Sequence, residues 1–272
     1  MRDLRCPVLV GRTAALDALS AAVERAVAGA GGIVFLLGEA GMGKTRLATE
    51  AADLAGSGGM TVLRGRATPS PTPPPYRPLA EAFLSAWRDR EPPAGADRQG
   101  LRPAAEILVP SWAQPRDPDT APSVLTIGEA ALALLDGLGG AGTLLILDDL
   151  QWSDPETLEV LEYLAERLSE RPVLAVVAVR TGERPPVERL AHTLAARTGA
   201  RLVPVGPLDE AGVRAAVVDV LGCADLPPEL VTAVDERSEG SPFLVEELLA
   251  ALVGVGAIAR AGDSWEVRGP LP

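Results

Sequence analysis

The feature that most constrains the fold is a glycine-rich octapeptide that fits the pattern GxxxxGK[ST], Gly38-Glu39-Ala40-Gly41-Met42-Gly43-Lys44-Thr45. The apolar run Ile33 to Leu37 before it is typical of a buried strand, and residues 44–54 have the spacing of a helix. Glycines at such a junction let the backbone approach a phosphate group closely, and the N-terminus of the following helix favours anions. The octapeptide therefore predicts a phosphate-binding loop, and we name it the phosphate loop.

The side chains at the end of the phosphate loop have expected roles in binding ATP or ADP with Mg²⁺. Lys44 would place a mobile cation on the β- and γ-phosphate oxygens, and the Thr45 hydroxyl would be a ligand of Mg²⁺. The alternative is a glycine-rich turn between a strand and a helix that matches the pattern by chance. The predicted nucleotide-binding positions in this part of the chain are Gly38, Glu39, Ala40, Gly41, Met42, Gly43, Lys44, Thr45 and Arg46.

A second stretch, LLILDDLQWSDP (144–155), places two adjacent acids directly after four apolar residues. We interpret it as a Walker B element on a strand that neighbours the phosphate-loop strand. Asp148 would hold Mg²⁺ through water, and Asp149 would polarise the attacking water. Bound Mg²⁺ would supply the positive charge that two adjacent carboxylates need. The alternative is an Asp pair that simply opens a loop.

The residues after the two acids predict a helix over 155–170. Ser153 or Asp154 would cap it, Pro155 suits its first position, and Glu156 would complete a Ser-x-x-Glu capping box. Asp154 is therefore interpreted as a cap and not as a catalytic residue.

One arginine is a further candidate for the catalytic set. Arg180 follows the apolar run VLAVVAV (173–179), whose strand is expected beside the Walker B strand. From that position it could contact the γ-phosphate, and the alternative is an ordinary arginine at the surface end of a strand. The predicted catalytic residues are thus Lys44, Asp149 and Arg180.

Apolar strands alternate with helices up to about residue 205, which predicts a parallel sheet covered by helices on both faces. Helical spacing alone then continues, in 208–221, 227–237 and 243–253. The prediction is an α/β P-loop NTPase fold followed by a small helical lid domain. The expected boundaries are 1–206 for the ATPase domain, 207–260 for the lid and 261–272 for the start of a following region. The proline-rich segment 69–78 and the insert 91–122 are expected to be irregular, the latter around a short helix.

Composition excludes several classes of function. The formal net charge of −12 disfavours direct contact with nucleic-acid phosphates. His192 is the only histidine, which rules out multi-histidine metal sites and argues against a Ser-His-Asp hydrolase. Cys6 and Cys223 have no metal-type spacing, and the N-terminus has no apolar signal region. The apolar run 248–259 is shorter than the ~20 residues that span a bilayer. We expect a cytoplasmic protein with no membrane partner.

Five motifs occur in a familiar order: LVGR (9–12), the phosphate loop, LLILDDLQWSDPETL, the AVR that ends at Arg180, and EGSPFLVEELL (239–249). Together they resemble the STAND class of AAA+-related P-loop ATPases, especially the ATPase region of large ATP-binding transcriptional regulators of the LuxR type. The resemblance implies that Gly11 and Arg12 lie against the nucleotide, and that Gly240 and Pro242 contact adenine from the lid.

The resemblance also has departures and further implications. Similar proteins usually have two glutamates after Gly-Arg, whereas Thr13-Ala14-Ala15 stands here. They usually continue into a winged helix, a helical sensor array and a DNA-binding helix-turn-helix. DNA binding is therefore expected only from a segment beyond residue 272.

Three functions fit these observations. The first is a slowly hydrolysing regulatory switch, with nucleotide-dependent self-association as a possible output. The second is a freely turning-over oligomeric AAA-type ATPase that needs an arginine from a neighbour, among which Arg64, Arg66, Arg88 and Arg90 are not distinguished. The third is a scaffold with a decayed site, against which the intact Lys44 argues. A variant of the first attaches the same module to a cyclase or kinase signalling protein.

Overall fold

A computed structural model describes residues 6, 8–98, 100–113, 121–183, 185–262 and 264–271. Five parallel strands pair in the spatial order β2-β3-β4-β1-β5. Their bounds are β1 (Gly32–Gly38), β2 (Thr61–Arg66), β3 (Thr143–Asp148), β4 (Val173–Arg180) and β5 (Arg201–Pro204). A separate antiparallel pair consists of β6 (Ile258–Ala261) and β7 (Ser264–Val267).

Helices connect the strands of the sheet and then follow one another towards the C-terminus. Three short 3-10 turns cover Pro110–Trp112, Leu150–Trp152 and Leu168–Glu170. The α-helices are α1 (Thr13–Val27), α2 (Lys44–Ser57), α3 (Arg77–Trp87), α4 (Ala94–Arg98), α5 (Arg102–Leu108), α6 (Val124–Gly137), α7 (Pro155–Ala165), α8 (Pro185–Thr198), α9 (Glu210–Leu221), α10 (Pro228–Ser238) and α11 (Pro242–Gly254).

The chain divides into two compact units. Among the described residues, the sheet unit comprises those within 16–38 and 48–204, and the helical unit comprises those within 1–15, 39–47 and 205–272. Each unit has its own apolar core. In the helical unit the core joins α9, α10 and α11 through a set of buried aliphatic side chains, Val213, Val217, Leu230, Val234, Val245 and Leu249.

Both faces of the sheet are buried. On one face Phe35, Leu145 and Val177 pack in a core that includes Phe83 of α3 and Leu134 of α6. On the other face the alternate residues of the same strands are buried as well, among them Val34, Leu36, Leu144, Ile146 and Val176. A parallel sheet that is covered twice has strands that are apolar throughout, as the sequence shows. The predicted parallel sheet flanked by helices is confirmed.

Several details differ from the predictions. β3 does not neighbour β1, because β4 is inserted between them. The helix predicted over 155–170 ends at Ala165, and a 3-10 turn follows at Leu168–Glu170 shortly before Pro172, which cannot continue a helix. The insert 91–122 contains α4, α5 and a 3-10 turn instead of one short helix. Part of that insert, 99 and 114–120, lies outside the described residues.

The helix after the Walker B strand is capped by Asp154 alone. Its Oδ1 accepts the main-chain N–H of Thr157 at 2.8 Å, while the buried Ser153 hydroxyl has no hydrogen-bond partner among the residues that the structure describes. The predicted Ser-x-x-Glu box is therefore wrong, because the N-cap lies one residue later. The same Oδ1 also accepts the N–H of Tyr76 at 3.1 Å, where the chain enters α3 with a φ of 59°. Asp154 thus ties the proline-rich segment to the start of α7.

We expect Asp154→Ala to lower the free energy of unfolding by about 3 kcal/mol, because the carboxylate is 2% exposed and its loss leaves two main-chain donors without an acceptor. Urea unfolding followed by circular dichroism measures the change. The matched control is Ser123→Ala at the N-cap of α6, where an exposed hydroxyl accepts one N–H and removal costs about 1 kcal/mol. Equal losses in the two variants would contradict the linking role of Asp154.

Candidate functional site

The phosphate loop begins where β1 ends and finishes in the first turn of α2. Gly38 is paired in register with Arg180 of β4, and its carbonyl accepts the N–H of Thr181 at 3.2 Å. Two glycines of the loop have left-handed backbone conformations, with φ of 79° at Gly41 and 91° at Gly43. A residue with a side chain rarely adopts such angles, so the turn that follows β1 depends on glycine at both positions.

Two buried cations hold carbonyl oxygens of the loop. The Lys44 ammonium donates to the Glu39 carbonyl at 2.6 Å, and Nη2 of Arg12 donates to the Met42 carbonyl at 3.1 Å. Their residues are only 7% and 9% exposed. Burial lowers the pKa of Arg12, but an arginine starts so high that the group stays charged at neutral pH. Two positive charges therefore lie against the loop from within the helical unit, which suits an anionic ligand.

Lys44 is the only lysine in the sequence, and every other strongly basic residue is arginine. The chain of 272 residues thus uses arginine at every strongly basic position except this one, which is buried at a glycine-rich turn. This compositional signal was available from the sequence. It supports a specific role for the ammonium group at this position.

The N-terminus of α11 carries the residues expected to contact adenine. Gly240 has a φ of 72°, and a Cβ there would lie 2.3 Å from the Leu208 carbonyl, so only glycine fits. Its own carbonyl accepts the N–H of Leu208 at 2.8 Å. Pro242 occupies the first position of α11. Gly11, with a φ of 66°, also lies against Leu208, whose Cδ2 would be 2.9 Å from a Cβ at position 11. A close backbone approach therefore explains Gly240, and the left-handed backbone conformation explains Gly11.

The two adjacent acids behave differently. Asp148 is half-buried at the end of β3, and its Oδ1 accepts the main-chain N–H of Asp149 at 2.9 Å. Asp149 itself is 8% exposed and has a φ of 54°, an unusual backbone angle for a residue with a side chain. This left-handed turn directs the two carboxylates to different partners.

Both carboxylate oxygens of Asp149 are occupied by donors of the sheet unit. Arg66, the last residue of β2, donates to Oδ2 from Nε at 3.1 Å and from Nη2 at 2.6 Å. Arg180, the last residue of β4, donates to Oδ1 from Nε at 3.2 Å, and Nε2 of Gln151 donates to the same oxygen at 3.0 Å. Gln151 also accepts the main-chain N–H of Arg180 at 3.1 Å. We call Asp149, Arg66, Arg180 and Gln151 the acid clamp.

The acid clamp shifts the ionisation of Asp149. Burial alone would raise the pKa of this carboxyl, but the hydrogen bonds from Gln151 and Arg66 and the charges of Arg180 and Arg66 together lower it. A lowered pKa in the folded state means that the carboxylate stabilises the fold above its ordinary pKa of about 3.9. This contribution is lost as the pH falls through the lower, folded-state pKa.

We therefore expect Asp149→Asn to destabilise the protein most near neutral pH, by about 1–2 kcal/mol, because an ion pair with a partly exposed arginine becomes a bond to an uncharged amide. The difference from the wild type should shrink as the pH falls below about 4. Urea unfolding at pH 7, 5, 4 and 3 measures it. A difference that is the same at every pH would show that the ionised form of Asp149 contributes nothing.

The predicted site residues thus fall into two groups. The phosphate loop, Arg12 and the start of α11 come together in the helical unit, and Asp149 and Arg180 come together in the sheet unit. Arg180 was predicted to contact a phosphate and here donates to Asp149. Sequence reasoning missed the role of Gln151 and did not distinguish Arg66 from other arginines. Arg66 is identified only by the structure, because the register of β2 against β3 places it opposite Asp148.

A magnesium site made of protein side chains alone is absent from the described parts of the chain, where no three His, Cys, Asp or Glu residues group together. Magnesium bound with a nucleotide takes most of its ligands from phosphates and water, and needs few from the protein. The hydroxyl of Thr45 and the half-buried carboxylate of Asp148 are ligand types that fit such an ion. Within the same described residues, no helix is long and apolar enough to cross a membrane.

Comparison with protein families gives one match. The model of the family described as "AAA ATPase domain" matches residues 8–177, which is more than half of the chain. The matched range includes the phosphate loop and the acid clamp except Arg180. A comparison with curated proteins finds no match.

Solved structures share the fold at low sequence identity. A DNA replication initiation factor has a TM-score of 0.52 at 16% identity, covering 92% of this chain and 64% of its own. AMPPCP-bound DnaA from Aquifex aeolicus has a TM-score of 0.52 at 15% identity, covering 93% of this chain and 65% of its own. The Orc1 protein of Aeropyrum pernix in complex with DNA has a TM-score of 0.54 at 19% identity, covering 92% of this chain and 61% of its own. The chain thus spans less than two thirds of each, and the likeness establishes the fold.

Proposed function

The chain belongs to the AAA ATPase domain family, and from this premise we propose that it is an ATP-binding regulatory switch that hydrolyses ATP slowly. In this proposal ATP or ADP lies on the phosphate loop, with the single lysine on the phosphates. Thr45 and Asp148 would hold the accompanying Mg²⁺. The bound metal would neutralise charge that develops between the β- and γ-phosphates during hydrolysis.

Support for nucleotide binding comes from the electrostatics of the loop. Lys44 and Arg12 are buried against loop carbonyls and bring two positive charges to the loop. A triphosphate would replace this carbonyl contact by ion pairs between the Lys44 ammonium and phosphate oxygens, which adds the attraction between opposite charges. AMPPCP-bound DnaA shows that a structure with this fold accepts an ATP analogue.

The acid clamp is the observation that supports slow hydrolysis. A carboxylate that polarises water needs a free lone pair facing that water. In Asp149 one oxygen accepts two bonds from Arg66, and the other accepts one bond each from Arg180 and Gln151. Its lowered pKa makes it a weaker base as well. We infer that this carboxylate is held in a resting arrangement and that ATP remains bound for a long time before it is cleaved.

The proposal extends to the larger protein class. The order of motifs supports a STAND-class module of a transcriptional regulator, with residues 1–206 as the ATPase domain, 207–260 as the lid and 261–272 leading into a following region. Nucleotide-dependent self-association would be its output. The alternative, an oligomeric ATPase that turns over freely, is supported by Arg66, whose side chain is 61% exposed and thus accessible to a neighbouring copy. A role in DNA replication has no support beyond the fold, and the net charge of −12 disfavours DNA contact.

Equilibrium binding and hydrodynamics test this proposal together. Fluorescent ATP and ADP with Mg²⁺ should bind with dissociation constants in the micromolar range or below. Analytical ultracentrifugation should show different sedimentation for the ATP-bound and ADP-bound protein. If neither nucleotide binds, the ATP-dependent functions are excluded. If both bind but leave sedimentation unchanged, self-association is not the output.

A further inference from the structure

The start of α11 uses an unusual cap. Ser241 occupies the N-cap position, where a serine side chain ordinarily accepts an N–H of the first helical turn, but it accepts none here. Instead the Ser241 hydroxyl donates to the main-chain carbonyl of Gly41 at 3.5 Å. The Phe243 N–H, one of the free donors of the first turn, donates to the same oxygen at 3.3 Å. A carbonyl of the phosphate loop therefore takes the place of the capping side chain.

This contact is possible only because residue 41 has no side chain. A Cβ there would lie 2.9 Å from Oγ of Ser241 and 3.2 Å from Cβ of Phe243. The glycine of the phosphate loop thus serves two purposes, a left-handed turn and a close approach by α11. Ser241 is 5% exposed, so the contact is shielded from water that would otherwise compete for the carbonyl.

Holding the carbonyls of the loop also sets the direction of its N–H groups. Across a planar trans peptide, the carbonyl of one residue and the N–H of the next point in opposite directions. The bonds from Ser241 and Phe243 to the Gly41 carbonyl therefore turn the N–H of Met42 away from α11. In the same way, the bond from Arg12 to the Met42 carbonyl sets the direction of the Gly43 N–H. These are the N–H groups that a phosphate loop offers to its ligand.

We propose that Ser241 is a positioning residue of the phosphate loop, and that capping of α11 by Gly41 couples nucleotide binding to the order of that helix. The inference rests on the proposed function and adds the direction of the coupling. A nucleotide that orders the phosphate loop also orders the Gly41 carbonyl that caps α11, and so favours the capped helix. By thermodynamic reciprocity, the capped helix raises nucleotide affinity by the same factor by which the nucleotide favours capping. The ligand class is a nucleoside di- or triphosphate.

Hydrogen exchange of the unmodified protein tests the coupling. With saturating AMPPCP and Mg²⁺, exchange in the first turn of α11 (242–246) should slow about ten-fold, whereas the first turn of α6 should not change. If AMPPCP binds and exchange in 242–246 is unaltered, the coupling is refuted while ATP binding stands. If AMPPCP does not bind at all, the proposed function fails and the coupling fails with it.

Substitutions separate positioning from ordinary capping. Ser241→Ala should weaken AMPPCP affinity about two- to three-fold, the lower end for a neutral hydrogen bond because the 3.5 Å contact is long, and reduce the protection of 242–246. Ser241→Thr, which keeps the hydroxyl, should restore both. Ser123→Ala removes an ordinary cap on α6 and should lower stability without changing affinity. If Ser241→Ala lowers stability but leaves the affinity unchanged, its role is structural only and the positioning role is refuted.

Discussion

Lys44→Ala is expected to weaken ATP affinity at least about 100-fold. The ammonium is buried at the phosphate loop and forms a 2.6 Å bond to the Glu39 carbonyl. Bonds from such a cation to phosphate oxygens are worth about 1.5–3 kcal/mol each. Loss of about 2.7 kcal/mol corresponds to a hundredfold change in the dissociation constant. Isothermal titration calorimetry with ATP and Mg²⁺ measures it.

The control is Arg25→Ala, which removes a positive charge from the exposed side of α1 and should leave ATP affinity unchanged. The single lysine offers an independent readout. An amine-reactive reagent can modify only Lys44 and the N-terminal amine, and ATP should protect Lys44 selectively. Unaltered affinity in Lys44→Ala, or labelling of Lys44 that ATP does not slow, would contradict its assignment to the phosphates.

Arg66→Ala is expected to increase the rate of ATP hydrolysis about ten-fold or more without changing ATP affinity. Arg66 supplies both bonds to Oδ2 of Asp149, so its removal frees that oxygen for water and raises the basicity of the carboxylate. In the wild type, a charge-assisted interaction of about 1.5 kcal/mol must be broken before the transition state is reached. Its removal lowers the activation free energy by that amount, which corresponds to a rate about tenfold higher. Phosphate release under single-turnover conditions measures the effect.

Two further variants make this expectation specific. Arg171→Ala breaks another arginine–aspartate pair of the sheet unit, the one with Asp136, and should not alter the rate. In Arg66→Ala/Asp149→Asn the gain should disappear, because it depends on the released carboxylate. A rate that falls in Arg66→Ala would show instead that this arginine assists hydrolysis. A gain that survives in the double variant would remove Asp149 from the mechanism.

Local sequence patterns predicted much of the fold. The strand before the phosphate loop, the helix after it and the three helices near the C-terminus follow from apolar spacing over a few turns, which is a short-range property. The pairing of β4 with β3 was also predicted and is confirmed. The end of α7 was predicted too late, because helical spacing continues through Leu168 although the regular helix stops at Ala165.

The contacts that define the candidate site depend on long-range geometry. Arg66 and Asp149 are 83 residues apart, and they meet only because β2 lies beside β3 in a fixed register. Ser241 and Gly41 are 200 residues apart, and their contact depends on how the helical unit packs. The left-handed backbone of Asp149 has no marker in the sequence either, since only glycine announces such a conformation reliably.

The rate of ATP cleavage by the wild-type protein tests the central claim most directly. Protein in excess over γ-labelled ATP, with Mg²⁺ at pH 7, gives the first-order rate constant of a single turnover. A carboxylate held by two arginines and a glutamine predicts a value below about 0.01 s⁻¹, in the range of unassisted nucleotide switches. Cleavage by the monomer at several per second, close to the roughly 10 s⁻¹ of a typical enzyme, would contradict it.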